Sequence, residues 1–154
     1  MKAVIIYDSV YSNTEHIAQA IGEGLAGDVT VVRVGEVNAS ELKTCDLLIV
    51  GSPVHNGRAT PAIDALLQQL PAHALEGKGV AAFDTRFELE AQGIGVRLVM
   101  RVVRYAAERI AKALTKKGGR LVAEPEGFIV EHKEGPLKQG ELERAKKWAQ
   151  AINA

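Results

Sequence analysis

The sequence predicts a single α/β domain of three layers, a doubly wound, five-stranded parallel sheet of order 2-1-3-4-5 with helices on both faces. Three observations point there. Short apolar runs alternate with amphipathic stretches along the whole chain, the pattern of parallel strands joined by crossover helices. The runs are solid rather than alternating, as in Ala3-Val4-Ile5-Ile6-Tyr7, which marks strands covered on both faces. The length, 154 residues, suits one domain with a sizeable core, and no interdomain linker or repeat interrupts it.

The first strand is Ala3 to Tyr7. The helix after it carries Ile17, Ile21 and Leu25 at four-residue steps with Ala18 beside them, a stripe that faces the sheet. Val29 to Val34 is β-branched and fits the second strand, followed by a short helix at Ala39 to Lys43. The third strand is Asp46 to Val50, ending at Gly51, with the single cysteine, Cys45, as buried filler at its start. Thr60-Pro61, an N-cap followed by proline at the first helical position, opens a helix striped by Ile63, Leu66, Leu67 and Leu70. The fourth strand is Gly79 to Phe83. A long helix spans Val96 to Lys117 and stops at Gly118-Gly119. The fifth strand is split into Arg120 to Val122 and Phe128 to Val130 by Glu124-Pro125-Glu126-Gly127. The last helix runs from Gly140 to Ile152, with Leu142, Ala145, Trp148, Ala149 and Ile152 facing in.

Composition narrows the function. Nineteen basic and nineteen acidic residues cancel, which argues against bulk electrostatic binding to nucleic acid. No apolar run reaches the length of a membrane span and no signal peptide is visible, so stable membrane insertion is not expected. One cysteine excludes an internal disulfide and fits a reducing, cytoplasmic location. The histidines, His16, His55, His73 and His132, show no metal-ligand spacing, and no Gly-x-Ser-x-Gly elbow occurs. A phosphoacceptor receiver needs an aspartate at the end of strand three and an acidic pair after strand one. Here strand three ends in Gly51-Ser52, and only Asp8 follows strand one.

In a sheet of this order the switch point lies between strands one and three, so the loops after strands one, three and four meet at the ligand site. The first of them, Ser9-Val10-Tyr11-Ser12-Asn13-Thr14, brings three hydroxyls and an amide to a helix start, where free backbone N–H groups favour an anion. It lacks the GxxxxGK[ST] and GxGxxG spacings and holds no Lys or Arg. A single phosphate monoester, held by neutral hydroxyls and amides, remains. A capping box from Ser12 to Glu15 accounts for those two residues alone, not for Ser9 and Thr14 on the same turn.

This loop resembles the phosphate-binding loop of the flavodoxin family, [ST]-x-T-G-N-T: Ser9, Asn13 and Thr14 match it, and Tyr11 and Ser12 depart from it. The resemblance implies a flavodoxin-like fold in which Ser9, Ser12, Asn13 and Thr14 wrap the phosphate of FMN, with Val10 and Tyr11 beside it, Tyr11 touching the flavin or shielding the loop. The long loop Gly51 to Thr60 resembles the family's isoalloxazine loop, so Ser52, Pro53, Val54, His55, Asn56 and Gly57 are expected along the flavin ring. A peptide near Gly57, rotating freely, would accept the proton on reduced flavin N5. His55 and Arg58 are either cations beside the flavin or an exposed polar loop. No aromatic is present in this loop, so Val54 or His55 takes the ring face.

The run Phe83-Asp84-Thr85-Arg86 resembles a smaller group of flavodoxin-domain proteins, as do Gly135-Pro136-Leu137 and the stretch from Gly140 to Ala145, so the resemblance covers nearly the whole chain. It implies Asp84, Thr85 and Arg86 at the pyrimidine edge of the flavin and Phe87 stacked on the ring. The plainer reading makes Asp84 and Thr85 helix caps and Phe87 a core contact. Arg97, Arg101 and Arg104 share a helical face that is either solvated or presented to a partner, a membrane surface or an acidic substrate. Two function classes follow: an FMN-bearing electron carrier serving a redox partner protein or a small-molecule acceptor, or an FMN-dependent oxidoreductase acting on a quinone, a flavin or a porphyrinogen. A fold descendant without FMN is the third.

Overall fold

The computed structural model describes residues 1–87 and 105–153. β1 (Lys2–Tyr7) lies between β2 (Asp28–Arg33) and β3 (Leu47–Pro53). β4 (Gly79–Phe87) lies beyond β3, and the margin beyond β4 is shared by β5 (Arg120–Leu121) and β6 (Glu126–Val130). All these pairs are parallel and the order is β2-β1-β3-β4-β5, with β6 also on β4, as the sequence predicts. The described helices are α1 (Asn13–Gly24), α2 (Ala39–Thr44), α3 (Pro61–Gln69), α4 (Ala106–Lys116) and α5 (Glu141–Asn153), with a 3₁₀ turn at Val34–Glu36.

The solid apolar strands bury both of their faces. Ala3, Ile5 and Tyr7 of β1 join Leu47, Ile49, Ala81, Phe83 and Phe128 in one core, closed by Ile17 and Ile21 of α1 and by Ala145 and Ala149 of α5. The intervening residues Val4 and Ile6, with Leu48, Val50, Val80 and Ala82, form the opposite core against Ile63 and Leu67 of α3 and Ile110 and Leu114 of α4. Each such side chain contributes about 1.5–3 kcal/mol by leaving water. Phe83, Phe128 and Trp148 meet edge to face, with ring centroids 6.2–6.5 Å apart. Gly51 lies under the Phe83 ring, where a Cβ would stand 2.0 Å from the ring carbon Cζ. Cys45 is buried, as expected, and burial raises its thiol above the usual value.

Several boundaries differ from expectation. β3 runs on to Pro53 and β4 to Phe87, past the expected ends at Val50 and Phe83, because Ser52 pairs with Asp84 and Pro53 with Thr85 while β6 covers the far side of β4. Asp84 to Phe87 are therefore strand residues rather than a loop. The lower half of the split strand starts at Glu126, and Val34 falls in the 3₁₀ turn instead of β2. Leu142 does not face in: it is 44% exposed, while Glu141 is only 6% exposed. The Glu141 carboxylate accepts the Ile129 N–H at 2.7 Å and is gripped by Arg144, so a buried polar anchor, not the leucine, sets the helix register. Of the helix expected from Val96, the described part begins at Ala106, and Arg97, Arg101 and Arg104 lie outside the described residues. Among the described residues no helix is long and apolar enough to cross a membrane, and no cluster of metal-ligating side chains occurs.

Candidate functional site

A cavity of about 560 Å³ opens where the carboxyl ends of β1, β3 and β4 meet, within the size range of small-molecule sites. Its first wall is the loop after β1. Asp8 accepts the N–H of Ser9 at 2.9 Å and the hydroxyl of Thr60 at 2.6 Å, so Thr60 precedes α3 without its side chain capping it. Arg33, at the end of β2, donates to the Ser9 carbonyl and to Glu15, both at 3.1 Å, and lies over the Tyr7 ring. Burial and the Glu15 carboxylate together raise the Tyr7 phenol.

The capping box expected at Ser12 does not form. Ser12 adopts a left-handed φ of 71° and its side chain caps nothing, while Glu15 is held by Arg33. The first intrahelical bond is His16 N–H to the Ser12 carbonyl, which leaves the N–H groups of Asn13, Thr14 and Glu15 without intrahelical acceptors. The Ser9 hydroxyl is buried with no hydrogen-bond partner among the described residues. Such an orphan normally costs about 1–3 kcal/mol unless a ligand or water meets it. Thr14 is buried and shares a 2.9 Å hydroxyl–hydroxyl bond with Thr85, and Val10 and Tyr11 are exposed at the rim.

The second wall is the loop after β3. Ser52 is fully buried; its hydroxyl donates to the Pro53 carbonyl at 2.9 Å and accepts the Thr60 N–H at 3.0 Å, tying both ends of the loop together. Between them Asn56 (φ 52°) and Gly57 (φ 76°) make the tight turn that the Asn-Gly pair predicts. His55 and Arg58 exchange backbone bonds of 2.7 and 3.0 Å across it. The Val54 N–H donates to the Thr85 carbonyl at 3.0 Å, so Thr85 engages both loops.

The end of β4 forms the floor. Asp84 is completely buried; it accepts two bonds from Arg86, at 2.7 and 2.8 Å, and the Ala107 N–H at 2.9 Å. Burial raises its carboxyl against the opposing pull of Arg86 and the α4 amide. Arg86 lies 3.6 Å over the Tyr105 ring centroid. Thr85, Arg86 and the exposed Phe87 line the cavity with Ser9, Val10, Tyr11, Asn13 and Thr14 from the first loop and Pro53 to Gly57 from the second. Ser52, Ser12 and Asp84 are not among the lining residues; Ser52 and Asp84 brace the loops and α4 from behind.

Sequence reasoning missed Tyr105, Val130 and Lys133, which complete the wall. The signal for the last two was the Gly135-Pro136-Leu137 motif, which closes the hairpin after β6. The lining thus combines apolar walls with hydroxyl, amide, imidazole, guanidinium and ammonium groups, and no carboxylate is among the described lining residues. A planar, largely apolar ligand ending in an anion fits this distribution, with the anion toward Ser9 and the α1 amides.

A family model described as "Flavodoxin domain" matches residues 4–117. Among curated proteins, an uncharacterized protein of Methanocaldococcus jannaschii is 35% identical over 88 residues, 52% of this chain and 22% of that protein. The rubredoxin-oxygen oxidoreductase of Megalodesulfovibrio gigas is 30% identical over 89 residues, 53% of this chain and 22% of that protein. The aligned stretch is thus about a fifth of the length of these relatives. Among solved structures, a flavodoxin from the domain Archaea is similar with a TM-score of 0.79 at 22% identity, covering 99% of this chain and 96% of that one. The rubredoxin oxygen:oxidoreductase from the anaerobe Desulfovibrio gigas is similar with a TM-score of 0.71 at 25% identity, covering 99% of this chain and 35% of that one.

Proposed function

The chain belongs to the flavodoxin family, and from that premise we propose that it holds one FMN in the cavity at the carboxyl ends of β1, β3 and β4 and passes electrons to and from a redox partner protein or a small-molecule acceptor. The observation that carries the reading is the buried Ser9 hydroxyl and the amides of Asn13, Thr14 and Glu15 on the same loop, all without an acceptor or donor among the described residues, an uncharged cradle of the right chemistry for a phosphate monoester. FMN, when bound, supplies the redox chemistry, and the protein supplies position and potential.

The side chains take complementary parts. Ser9 and Asn13 would donate to the phosphate together with the α1 amides, while Tyr11 and Phe87, both exposed at the mouth, would shield the ring from water. Thr85 and Arg86 meet the ring's polar edge, with Asp84 holding the guanidinium in place from behind. With FMN bound, the Asn56-Gly57 turn would hold a backbone carbonyl toward the ring.

Titration with FMN, followed by flavin fluorescence, tests the reading. We expect saturable one-to-one binding, and Ser9→Ala should weaken FMN roughly tenfold while leaving riboflavin nearly unaffected, since a charge-assisted hydrogen bond to phosphate is lost. Absence of saturation would overturn it. The second reading, an FMN-dependent oxidoreductase, is favoured by the absence of carboxylates among the described lining residues and by His55, Arg86 and Lys133, which suit an anionic small substrate. Sustained NAD(P)H oxidation in the presence of a quinone separates it from the carrier.

A further inference from the structure

We propose that Lys133 supplies the positive charge at the phosphate end of the cavity that the loop after β1 lacks, making it a specificity determinant for FMN over uncharged flavins. The proposal rests on the reading of the cavity as an FMN site. Lys133 sits on the hairpin that follows β6. Val130 and Leu137 bridge its base, Glu131 N–H donates to the Pro136 carbonyl and Lys138 N–H to the Ile129 carbonyl, each at 2.9 Å. Gly135 closes the turn at φ 106°, and its N–H donates to the His132 carbonyl at 3.0 Å.

This hairpin leans on the start of α1. A Cβ on Gly135 would stand 2.7 Å from Oδ1 of Asn13, the first residue of that helix. Lys133 is on the same turn and lines the same cavity as Ser9, Asn13 and Thr14. The other cations nearby are already committed: Arg33 to Glu15 and the Ser9 carbonyl, Arg86 to Asp84. Of the acids at the first loop, Asp8 is committed to Thr60 and Glu15 to Arg33, while Glu131 and Glu134 flank Lys133 on the hairpin but do not line the cavity. Lys133 makes no ion pair or hydrogen bond among the described residues, although it lines the cavity that the Ser9 loop also lines. An ammonium with three donors and no acceptor suits a phosphate dianion, and nothing about it suits the neutral end of riboflavin.

The base of the hairpin is anchored so that this placement persists. Glu141 accepts the Ile129 N–H at 2.7 Å, and Arg144 donates to the Gly127 carbonyl at 2.6 Å while pairing with Glu126 and Glu141. Lys133 thus sits in the exposed turn of a hairpin whose base is tied to β6 and to the last helix.

The test is a titration of the full chain and of Lys133→Met with FMN and with riboflavin, read by fluorescence at low and at high salt. The side chain is exposed, so the fold tolerates the change. We expect FMN to bind the variant roughly three- to tenfold more weakly at low salt, the gap to close at high salt, and riboflavin to bind both proteins alike. Lys133→Arg should restore most of the loss. Unchanged FMN affinity in Lys133→Met, or equal weakening of both flavins, would overturn the proposal while leaving the FMN site standing. Failure of the parent chain to bind either flavin would overturn both.

Discussion

Thr14 and Thr85, 71 positions apart in the chain, meet hydroxyl to hydroxyl at 2.9 Å in a buried position. The first belongs to the phosphate-side helix start, the second to the strand whose carbonyl holds Val54 of the neighbouring loop. One side chain thus ties the three walls of the cavity together. Thr85→Val keeps the shape and removes the bond, leaving the Thr14 hydroxyl buried and alone. We expect a loss of about 1–2 kcal/mol in urea unfolding. Combining it with Thr14→Val should cost less than the sum of the single changes, because the two hydroxyls satisfy one another.

Asp84 joins two partners at no exposure to water. Asp84→Ala strands the Arg86 guanidinium against Tyr105 and takes the acceptor from the Ala107 N–H. A cost of about 3–5 kcal/mol is expected. The pH dependence has a definite sign. Burial raises the folded carboxyl above its unfolded value, so its contribution is full below the unfolded value and is lost as pH rises through the raised one. The stability of the parent relative to Asp84→Asn should therefore widen as pH falls from neutrality, measured by urea midpoints across the range.

Glu141 should behave in the opposite way. Burial opposes its ionisation, but the Arg144 and Ile129 N–H donors outweigh it and hold the carboxyl below its usual value, while Arg144 is raised. Its contribution is present above the unfolded carboxylate value and disappears as pH falls through the lowered one. Glu141→Gln should be less stable than the parent at neutral pH, with the difference vanishing in acid.

Gly51→Ala drives a methyl into the Phe83 ring, 2.0 Å from Cζ. About 1–3 kcal/mol should be lost as strain. Thermal unfolding of Gly51→Ala together with Phe83→Leu should recover most of it, because the smaller side chain vacates that space.

Gly57→Val tests the turn. A β-branched residue at a φ of 76° costs about 1–2 kcal/mol. The strain should reduce FMN affinity and shift the redox potentials of the bound flavin. Potentials equal to those of the parent would remove the Gly57 peptide from any part in tuning.

Much of this architecture could be read from the chain because β1, β3 and β4 are apolar on both faces and helix stripes such as Ile17–Ile21 are unambiguous. The first loop was legible for a different reason: Ser9, Asn13 and Thr14 carry chemistry that a plain turn does not require. The ends of β3 and β4 were not legible, since Ser52, Asp84 and Thr85 look like loop residues until the ladder buries them. Leu142 misled because hydropathy cannot show that Glu141 is anchored by Arg144 and a strand amide. The Gly135-Pro136-Leu137 motif marks the hairpin that carries Lys133, but only the fold brings that hairpin to Asn13, so far away along the chain.

The return of the hairpin onto β6 also closes much of the outer margin of the sheet. On the outward side of β6 the Ile129 carbonyl and N–H are already taken by Lys138 and Glu141, and the Glu131 N–H by Pro136. β5 offers only Arg120 and Leu121 before the break at Pro125. Among the described residues a foreign strand arriving at this margin finds no long row of unsatisfied amides to template on, so backbone saturation, rather than surface charge, disfavours sheet growth there.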